Sequence, residues 1–105
     1  MNSKFLSMLG LAKRAGALIT GTDLVTKALP SGRIKLVMYA ENSSQNTEKK
    51  ITDKCKFYGI RCVKIAYNGE DIAHAIGKLS SVCVIGVNDE NFSNQLFTLI
   101  SKETR

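Results

Sequence analysis

The stretch KLVMYA, residues 35–40, is the clearest indication of fold class in this chain. Five of its six residues are apolar, and apolar and polar positions do not alternate along it. A strand of this composition is typical of a sheet that is covered on both faces. The stretch therefore predicts a central strand with helices packed above and below it.

Helical and extended patterns alternate on both sides of this strand. The spacing of apolar residues predicts helices over residues 3–15, 22–29, 45–58 and 70–78, and a last helix capped by Asn88 or Asp89. Short apolar runs predict further strands over residues 17–20, 60–66 and 82–87. We expect a single domain over residues 1–105, a three-layer α/β/α sandwich with a mostly parallel or mixed four-stranded sheet.

The inner faces of the predicted helices follow from the same spacing. The first helix places Phe5, Met8, Leu9 and Ala12 on one stripe. The second is expected to bury Leu24, Val25, Ala28 and Leu29 and to end before Pro30. The helix over 45–58 is expected to bury Ile51, Cys55 and Tyr58.

The charge of the chain favours a phosphate-containing partner. The net charge is +6 and the sequence pI is about 9.4. Residues 1–50 contain eight basic and three acidic side chains, whereas residues 51–105 contain seven and six. No apolar run resembles a signal peptide or a membrane span, and three cysteines without metal-ligand spacing suggest reduced thiols. We expect a cytoplasmic protein with no membrane partner.

Catalytic motifs are absent from the sequence. The one histidine, His74, has no nucleophile motif beside it, and no glycine-rich phosphate loop or zinc-ligand spacing occurs. The acidic pairs at 70–71 and 89–90 open helices, where carboxylates favour the positive end of the helix dipole. We therefore expect no enzyme activity, no cofactor and no metal.

Residues 12–35 carry the strongest indication of a binding site. Gly21 permits close approach of a ligand, and the amides of Gly21, Thr22 and Asp23 are expected to point outward at the start of a helix. Asp23 and Lys27 are four residues apart and share a helix face. We expect positive charge to flank this face, supplied by Lys13, Arg14, Arg33 and Lys35. The simpler alternative is a turn, a helix-dipole partner and a solvated lysine.

Several separate segments resemble the kink-turn RNA-binding ribosomal protein family, of the L-seven-Ae and L-thirty-e type. They are GTDLVTK at 21–27, KLVMYAENSS at 35–44 and TDKC at 52–55. The opening LGLAKRAG at 9–16 is similar to the bacterial branch called YlxQ-like. The resemblance covers nearly the whole chain and implies an α/β/α fold that binds RNA bent sharply beside sheared G·A pairs.

The resemblance also implies roles for individual residues. Gly21 would allow backbone approach, Asp23 stands at the family's usual Asn, and Lys27 matches its Lys, which contacts guanine acceptors or a phosphate. The loop before the last strand, 77–81, supplies Lys78 and Leu79, and Leu79 would pack on an unstacked base. The expected partner is RNA, with ribosomal RNA or another ribonucleoprotein favoured, and the expected state is a monomer.

Two departures from the family pattern keep other functions open. Asp23 lacks the amide donors of Asn, although its carboxylate can accept from a guanine edge, and Leu24 stands where the family often has Glu. A protein-interaction module that kept the fold but lost its RNA contacts is one alternative. A small α/β nucleotide-binding enzyme is another, although the sequence supplies no phosphate loop for it.

Overall fold

The structure is a computed structural model that describes residues 3–103. These residues form five α-helices, four strands and one 3₁₀ turn. In chain order they are α1 (Lys4–Arg14), β1 (Leu18–Thr20), α2 (Thr22–Ala28), the 3₁₀ turn (Leu29–Ser31), β2 (Leu36–Ala40), α3 (Gln45–Tyr58), β3 (Cys62–Ile65), α4 (Gly69–Ala75), β4 (Val84–Val87) and α5 (Glu90–Glu103). Asp89, one of the two expected caps, accepts a hydrogen bond from the Phe92 amide through Oδ1 at 2.9 Å and begins α5.

The sheet is mixed, with the strand order β1-β4-β2-β3. β2 and β3 are parallel, whereas β4 is antiparallel to both β1 and β2. The connection through α4 explains this direction, because the Val82 amide donates to the Gly69 carbonyl at 3.0 Å. The chain thus re-enters the sheet at the same end of the strands where β3 finished, and β4 runs in the opposite direction to β2. The mixed alternative is confirmed and the mostly parallel one is wrong.

Helices cover both faces of the sheet, as the uninterrupted apolar strands predicted. On one face α2, the 3₁₀ turn and α3 bury Val25, Leu29, Ile51 and Cys55. On the other face α1, α4 and α5 bury residues that include Phe5, Leu9, Ile72, Leu96 and Ile100. All five residues of β2 are buried, and they alternate between the two cores. The three-layer α/β/α sandwich is confirmed.

Two residues expected in the core are exposed instead. Leu24 retains 59% of its accessible surface, because the side of the chain that faces the sheet passes through Val25 of α2 and Leu29 of the 3₁₀ turn. Tyr58 retains 37%, because it is the last residue of α3 and lies just before the left-handed cap at Gly59. In both cases the helix is present as predicted, and Val25, Ile51 and Cys55 are buried as expected.

The register of β4 defines two ends of the molecule. The Gly21 amide donates to the Val84 carbonyl at 2.9 Å, and the Lys35 amide donates to the Val87 carbonyl at 2.7 Å. Val84 and Val87 are the two ends of β4, about 10 Å apart at the usual rise per residue. We call these the Gly21 end and the Lys35 end. β1, β2 and β3 all finish at the Gly21 end.

Candidate nucleic-acid interface

The turn between β1 and α2 depends on glycine. Gly21 has φ 102° and ψ 145°, a conformation that side-chain-bearing residues rarely adopt. A Cβ at this position would meet no atom within 4 Å, so the turn faces open space. The Gly21 amide donates to the Val84 carbonyl, so the expectation that this amide points outward is wrong. Gly21 therefore contributes an unobstructed approach for a ligand but no donor.

A cleft joins this turn to the loop before β4. It has a volume of about 380 Å³ and is lined by Thr20, Gly21, Thr22, Thr47, Lys78, Ser80, Ser81, Val82 and Cys83. Hydroxyl groups are its commonest polar lining, and Lys78 is its charged one. Leu79, at the tip of the same loop, is fully exposed. The structure thus brings together Gly21, Thr22, Lys78 and Leu79 from two distant parts of the chain.

The exposed face of α2 supplies two charged side chains next to this cleft. Asp23 is 87% exposed, and its Oδ1 lies 3.6 Å from the Lys50 Nζ on α3. Among residues 3–103 the ion pair of Asp23 is with Lys50, so Lys27 is exposed without a carboxylate partner. Because α2 has only seven residues, we assign binding capacity to its side chains and not to its dipole. Lys27 remains available to a phosphate or a base edge.

Lys50 was not among the site residues predicted from the sequence. It lies on α3, and α3 is held on the sheet by the Tyr39 hydroxyl, which donates to Glu48 Oε2 at 3.1 Å. Burial and this bond to a negatively charged partner raise the pKa of Tyr39 to about 12. The position of Lys50 near α2 could have been predicted, because α2 and α3 both follow strands that finish at the same end of the sheet.

The four cations expected to flank the face of Asp23 and Lys27 lie at the Lys35 end. Arg33 and Lys35 precede β2, and the Lys35 backbone is bonded to the far end of β4. Lys13 and Arg14 finish α1 just before β1 begins at that same end. The length of β1 and α2 therefore separates these four cations from the Gly21 turn, and their flanking of the Asp23–Lys27 face stays a prediction.

Other kinds of site lack support in the part of the chain that the structure describes. Residues 3–103 contain no cluster of His, Cys, Asp and Glu side chains that could hold a metal ion. No helix within this range is long and apolar enough to cross a membrane. Cys55, Cys62 and Cys83 are free thiols, as the sequence predicted.

Comparison with known proteins identifies the family. The model of the ribosomal protein L7Ae/L30e/S12e/Gadd45 family matches residues 3–97. The chain belongs to this family. The RNA-binding protein YlxQ of Bacillus subtilis (strain 168) is 39% identical over 97 residues, 92% of this chain and 95% of that protein. The large ribosomal subunit protein eL30 of Sulfolobus acidocaldarius is 30% identical over 96 residues, 91% of this chain and 92% of the relative.

A solved structure agrees with this assignment to the L7Ae/L30e/S12e/Gadd45 family. A Bacillus halodurans protein of unknown function superposes with a TM-score of 0.88 at 40% identity, over 95% of this chain and 99% of the other. The predicted resemblance to the family and to its YlxQ-like branch is thereby confirmed. The prediction that the chain is not an enzyme agrees with the family, because these relatives are named as RNA-binding or ribosomal proteins.

Proposed function

We propose that this protein binds structured RNA that contains a sharp kink, without catalysing a reaction. The binding face, which we call the Gly21 surface, comprises Gly21, Thr22, Asp23, Lys27, Lys78 and Leu79. The observation that carries the proposal is the cleft that unites the β1–α2 turn with the loop before β4. The names of the bacterial and archaeal relatives, an RNA-binding protein and a ribosomal protein, support the ligand class.

The chemistry of the Gly21 surface suits a bent polynucleotide. The open turn at Gly21 lets a sugar–phosphate backbone come close, and the hydroxyl groups of the cleft can donate to phosphate oxygens. Lys78 in the cleft and Lys27 in the last turn of α2 supply positive charge. The exposed Leu79 offers an apolar surface to a base that the kink leaves unstacked. A straight duplex presents no such base.

Asp23 is the residue of this surface that opposes phosphate binding. Its carboxylate is exposed but lies 3.6 Å from the Lys50 ammonium, which offsets its charge. The surface therefore keeps a net positive balance from Lys27 and Lys78. This balance is modest, and we expect the shape of the RNA to contribute more to selectivity than charge does.

We also propose the oligomeric state, the cellular location and the ligand of the Gly21 surface. We propose that residues 1–105 work as one RNA-binding domain, as a monomer in the cytoplasm, with ribosomal RNA as the ligand. The archaeal relative named as a large-subunit ribosomal protein supports this ligand. The four cations at the Lys35 end would contact flanking RNA and not the kink itself. They are Lys13, Arg14, Arg33 and Lys35.

A binding titration with two RNAs tests the Gly21 surface. A kinked hairpin and a straight hairpin of equal length and base composition are titrated at two salt concentrations. We expect preference for the kinked hairpin, and Lys27→Ala should weaken its binding by about 1–3 kcal/mol if the ammonium contacts a base edge. Lys64→Ala is the matched control, because Lys64 is an exposed lysine on the opposite edge strand, β3. Equal binding of both hairpins, or equal effects of the two variants, would contradict the proposal.

A protein-interaction role is the second candidate, and the exposure of Leu24 favours it. Leu24 retains 59% of its surface on the binding face of α2, where it cannot form hydrogen bonds to RNA. If neither hairpin binds and Leu24→Glu disrupts a complex with a co-purified protein, this second function replaces the first. Binding of the kinked hairpin by Leu24→Glu at unchanged or improved affinity favours the RNA function.

A further inference from the structure

Two long stretches of the chain contain lysine and arginine but no carboxylate. Residues 24–40 contain Lys27, Arg33 and Lys35, and residues 54–69 contain Lys54, Lys56, Arg61 and Lys64. The fold places these stretches side by side, because β2 and β3 are parallel neighbours and the Val37 amide donates to the Arg61 carbonyl at 2.9 Å. The two stretches are therefore neighbours in the fold, and the exposed Asp53 directly precedes the second of them.

An exposed aromatic pair lies at this side, at the C-terminus of α3. Phe57 retains 79% of its accessible surface, and its ring meets that of Tyr58 edge-on, with centroids 4.9 Å apart. The helix end that carries them is fixed, because Gly59 adopts the left-handed conformation and the Ile60 amide donates to the Cys55 carbonyl at 2.8 Å. Phe57 is thus a large flat side chain presented to solvent on a rigid support.

A stripe of lysines connects this aromatic pair to the Gly21 surface. Lys50, Lys54 and Phe57 follow the i, i+4, i+7 spacing that aligns side chains along one face of α3. The ion pair between Lys50 and Asp23 shows that this face borders α2. Lys27 lies one turn beyond Asp23, just as Lys54 lies one turn beyond Lys50. From Lys50 to Phe57 the stripe runs roughly 10 Å at the rise of an α-helix.

We propose that this stripe and Phe57 form a second RNA contact, which holds an unpaired strand with one base stacked on the Phe57 ring. The inference depends only on the RNA-binding part of the proposed function and not on recognition of a kink. Cations spaced along a groove that end at an exposed ring are the elements that bind single strands without sequence readout. Asp53 is a carboxylate on this part of α3, but Lys50, Lys54 and Lys56 outnumber it, and this balance suits a phosphate backbone.

The composition of this surface favours RNA over a protein partner. Lysine is depleted at protein–protein interfaces, whereas Phe57 here has lysines at positions 54 and 56. Arg61 also lies at this end, but its guanidinium is stacked over the Phe97 ring of α5 at 4.2 Å. We therefore assign the strand to the α2–α3 side and leave Arg61 out of the contact.

The test uses the full chain and three RNA probes. They are a kinked hairpin, the same hairpin with an oligouridine tail, and oligouridine alone, each titrated by fluorescence anisotropy. We expect the tail to raise affinity, and Phe57→Ala to reduce affinity for the tailed hairpin and for oligouridine at least about fivefold, the lower limit for one stacked base. Affinity for the untailed hairpin should stay within about twofold, because a base stacked in the tail is absent from that probe.

Matched variants and crosslinking separate stacking from structural effects. Phe57→Tyr keeps the ring and should keep the affinity for the tail. Leu11→Ala, an exposed apolar residue on α1 at the other face, should have no effect on any probe. Ultraviolet crosslinking of the tailed RNA, mapped by mass spectrometry, should modify the peptide that contains Phe57.

The outcomes distinguish this inference from the proposed function. Unchanged affinity of Phe57→Ala for both tail-containing probes would overturn the second contact, as would self-association that the same variant abolishes in sedimentation experiments. Loss of preference for the kinked hairpin, with oligouridine binding still dependent on Phe57, would instead refute the Gly21 surface and leave this contact in place.

Discussion

Gly21→Ala is the most direct test of how backbone geometry at the turn serves binding. Gly21 has φ 102° and ψ 145°, and an added Cβ meets nothing within 4 Å. The cost of the substitution is therefore backbone strain alone, which is about 1–3 kcal/mol in such sparsely populated regions. Against a typical stability of about 5–15 kcal/mol, the variant should remain folded.

The same methyl group should also lower RNA affinity. It would stand where the RNA backbone approaches the open turn, and displacing that backbone should cost at least one hydrogen bond, about 1 kcal/mol or fivefold in affinity. Urea denaturation gives the change in unfolding free energy, and titration of the kinked hairpin gives the change in affinity.

Gly16→Ala provides the matched control for strain. Gly16 has φ 75°, and its added Cβ also meets nothing within 4 Å, but it lies before β1 at the Lys35 end. It should lose about 1–2 kcal/mol of stability because alanine disfavours the left-handed region, with affinity unchanged. If both variants weaken RNA binding equally, or if Gly21→Ala binds like the unmodified protein, the close approach at Gly21 is refuted.

Three further substitutions have defined outcomes. Asp23→Asn should tighten binding of the kinked hairpin by about 1 kcal/mol, since it removes a carboxylate and adds an amide donor, whereas weaker binding would show that the carboxylate itself accepts from a guanine. Leu79→Ala should change stability by less than about 0.5 kcal/mol but weaken the kinked hairpin by about 1–2 kcal/mol, and an unchanged affinity would remove Leu79 from the contact. In the unmodified protein the unfolding free energy should fall as pH rises from about 10, the usual tyrosine pKa, through the Tyr39 pKa of about 12. The reason is that the folded state favours the protonated phenol and loses this advantage when the phenol ionises. Tyr39→Phe should reduce that fall in alkaline urea titrations, and an identical pH profile would contradict the assignment.

The sequence predicted the layers of the fold because burial leaves a pattern in composition. The five apolar residues of β2 are all buried, and helices cover both of its faces. Strand direction leaves no such pattern, since a strand buried on both faces has the same composition in either direction. The antiparallel entry of β4 depends on the return of the chain beside Gly69, a long-range contact between Val82 and Gly69 that the spacing of apolar residues does not report.

The residues that share the cleft were predictable where a turn or the family resemblance indicated them, and unpredictable where only the three-dimensional fold brings residues together. Gly21 and Lys78 come from separate parts of the chain, and the structure does bring them to one cleft. Lys35 is close to Gly21 in sequence, yet the length of the sheet separates them. Lys50 is distant in sequence, yet its ammonium reaches Asp23.

Carboxylates on one side of the Gly21 end would limit the directions in which an RNA bound as proposed could leave the cleft. Glu41 follows β2, where its amide donates to the Tyr67 carbonyl at 3.0 Å. Glu70 and Asp71 open α4 after β3, and Glu103 bonds to the Ser3 and Tyr67 side chains. These groups all lie toward β3, α1 and α4, away from the Gly21 turn on the β1 edge.

A phosphate backbone that crossed the carboxylates toward β3 would meet like charge, whereas the route between α2 and α3 offers Lys27 and Lys54, and Asp23 there is paired with Lys50. The cleft itself contains a single cation, Lys78, among neutral hydroxyl groups, so it supplies shape and hydrogen bonds more than attraction. We therefore expect the lysines between α2 and α3 to contribute more to affinity, and the cleft to contribute more to selectivity. Higher salt should weaken binding of the tailed RNA more steeply than that of the untailed hairpin, because the tail would neutralise the additional lysines of the stripe.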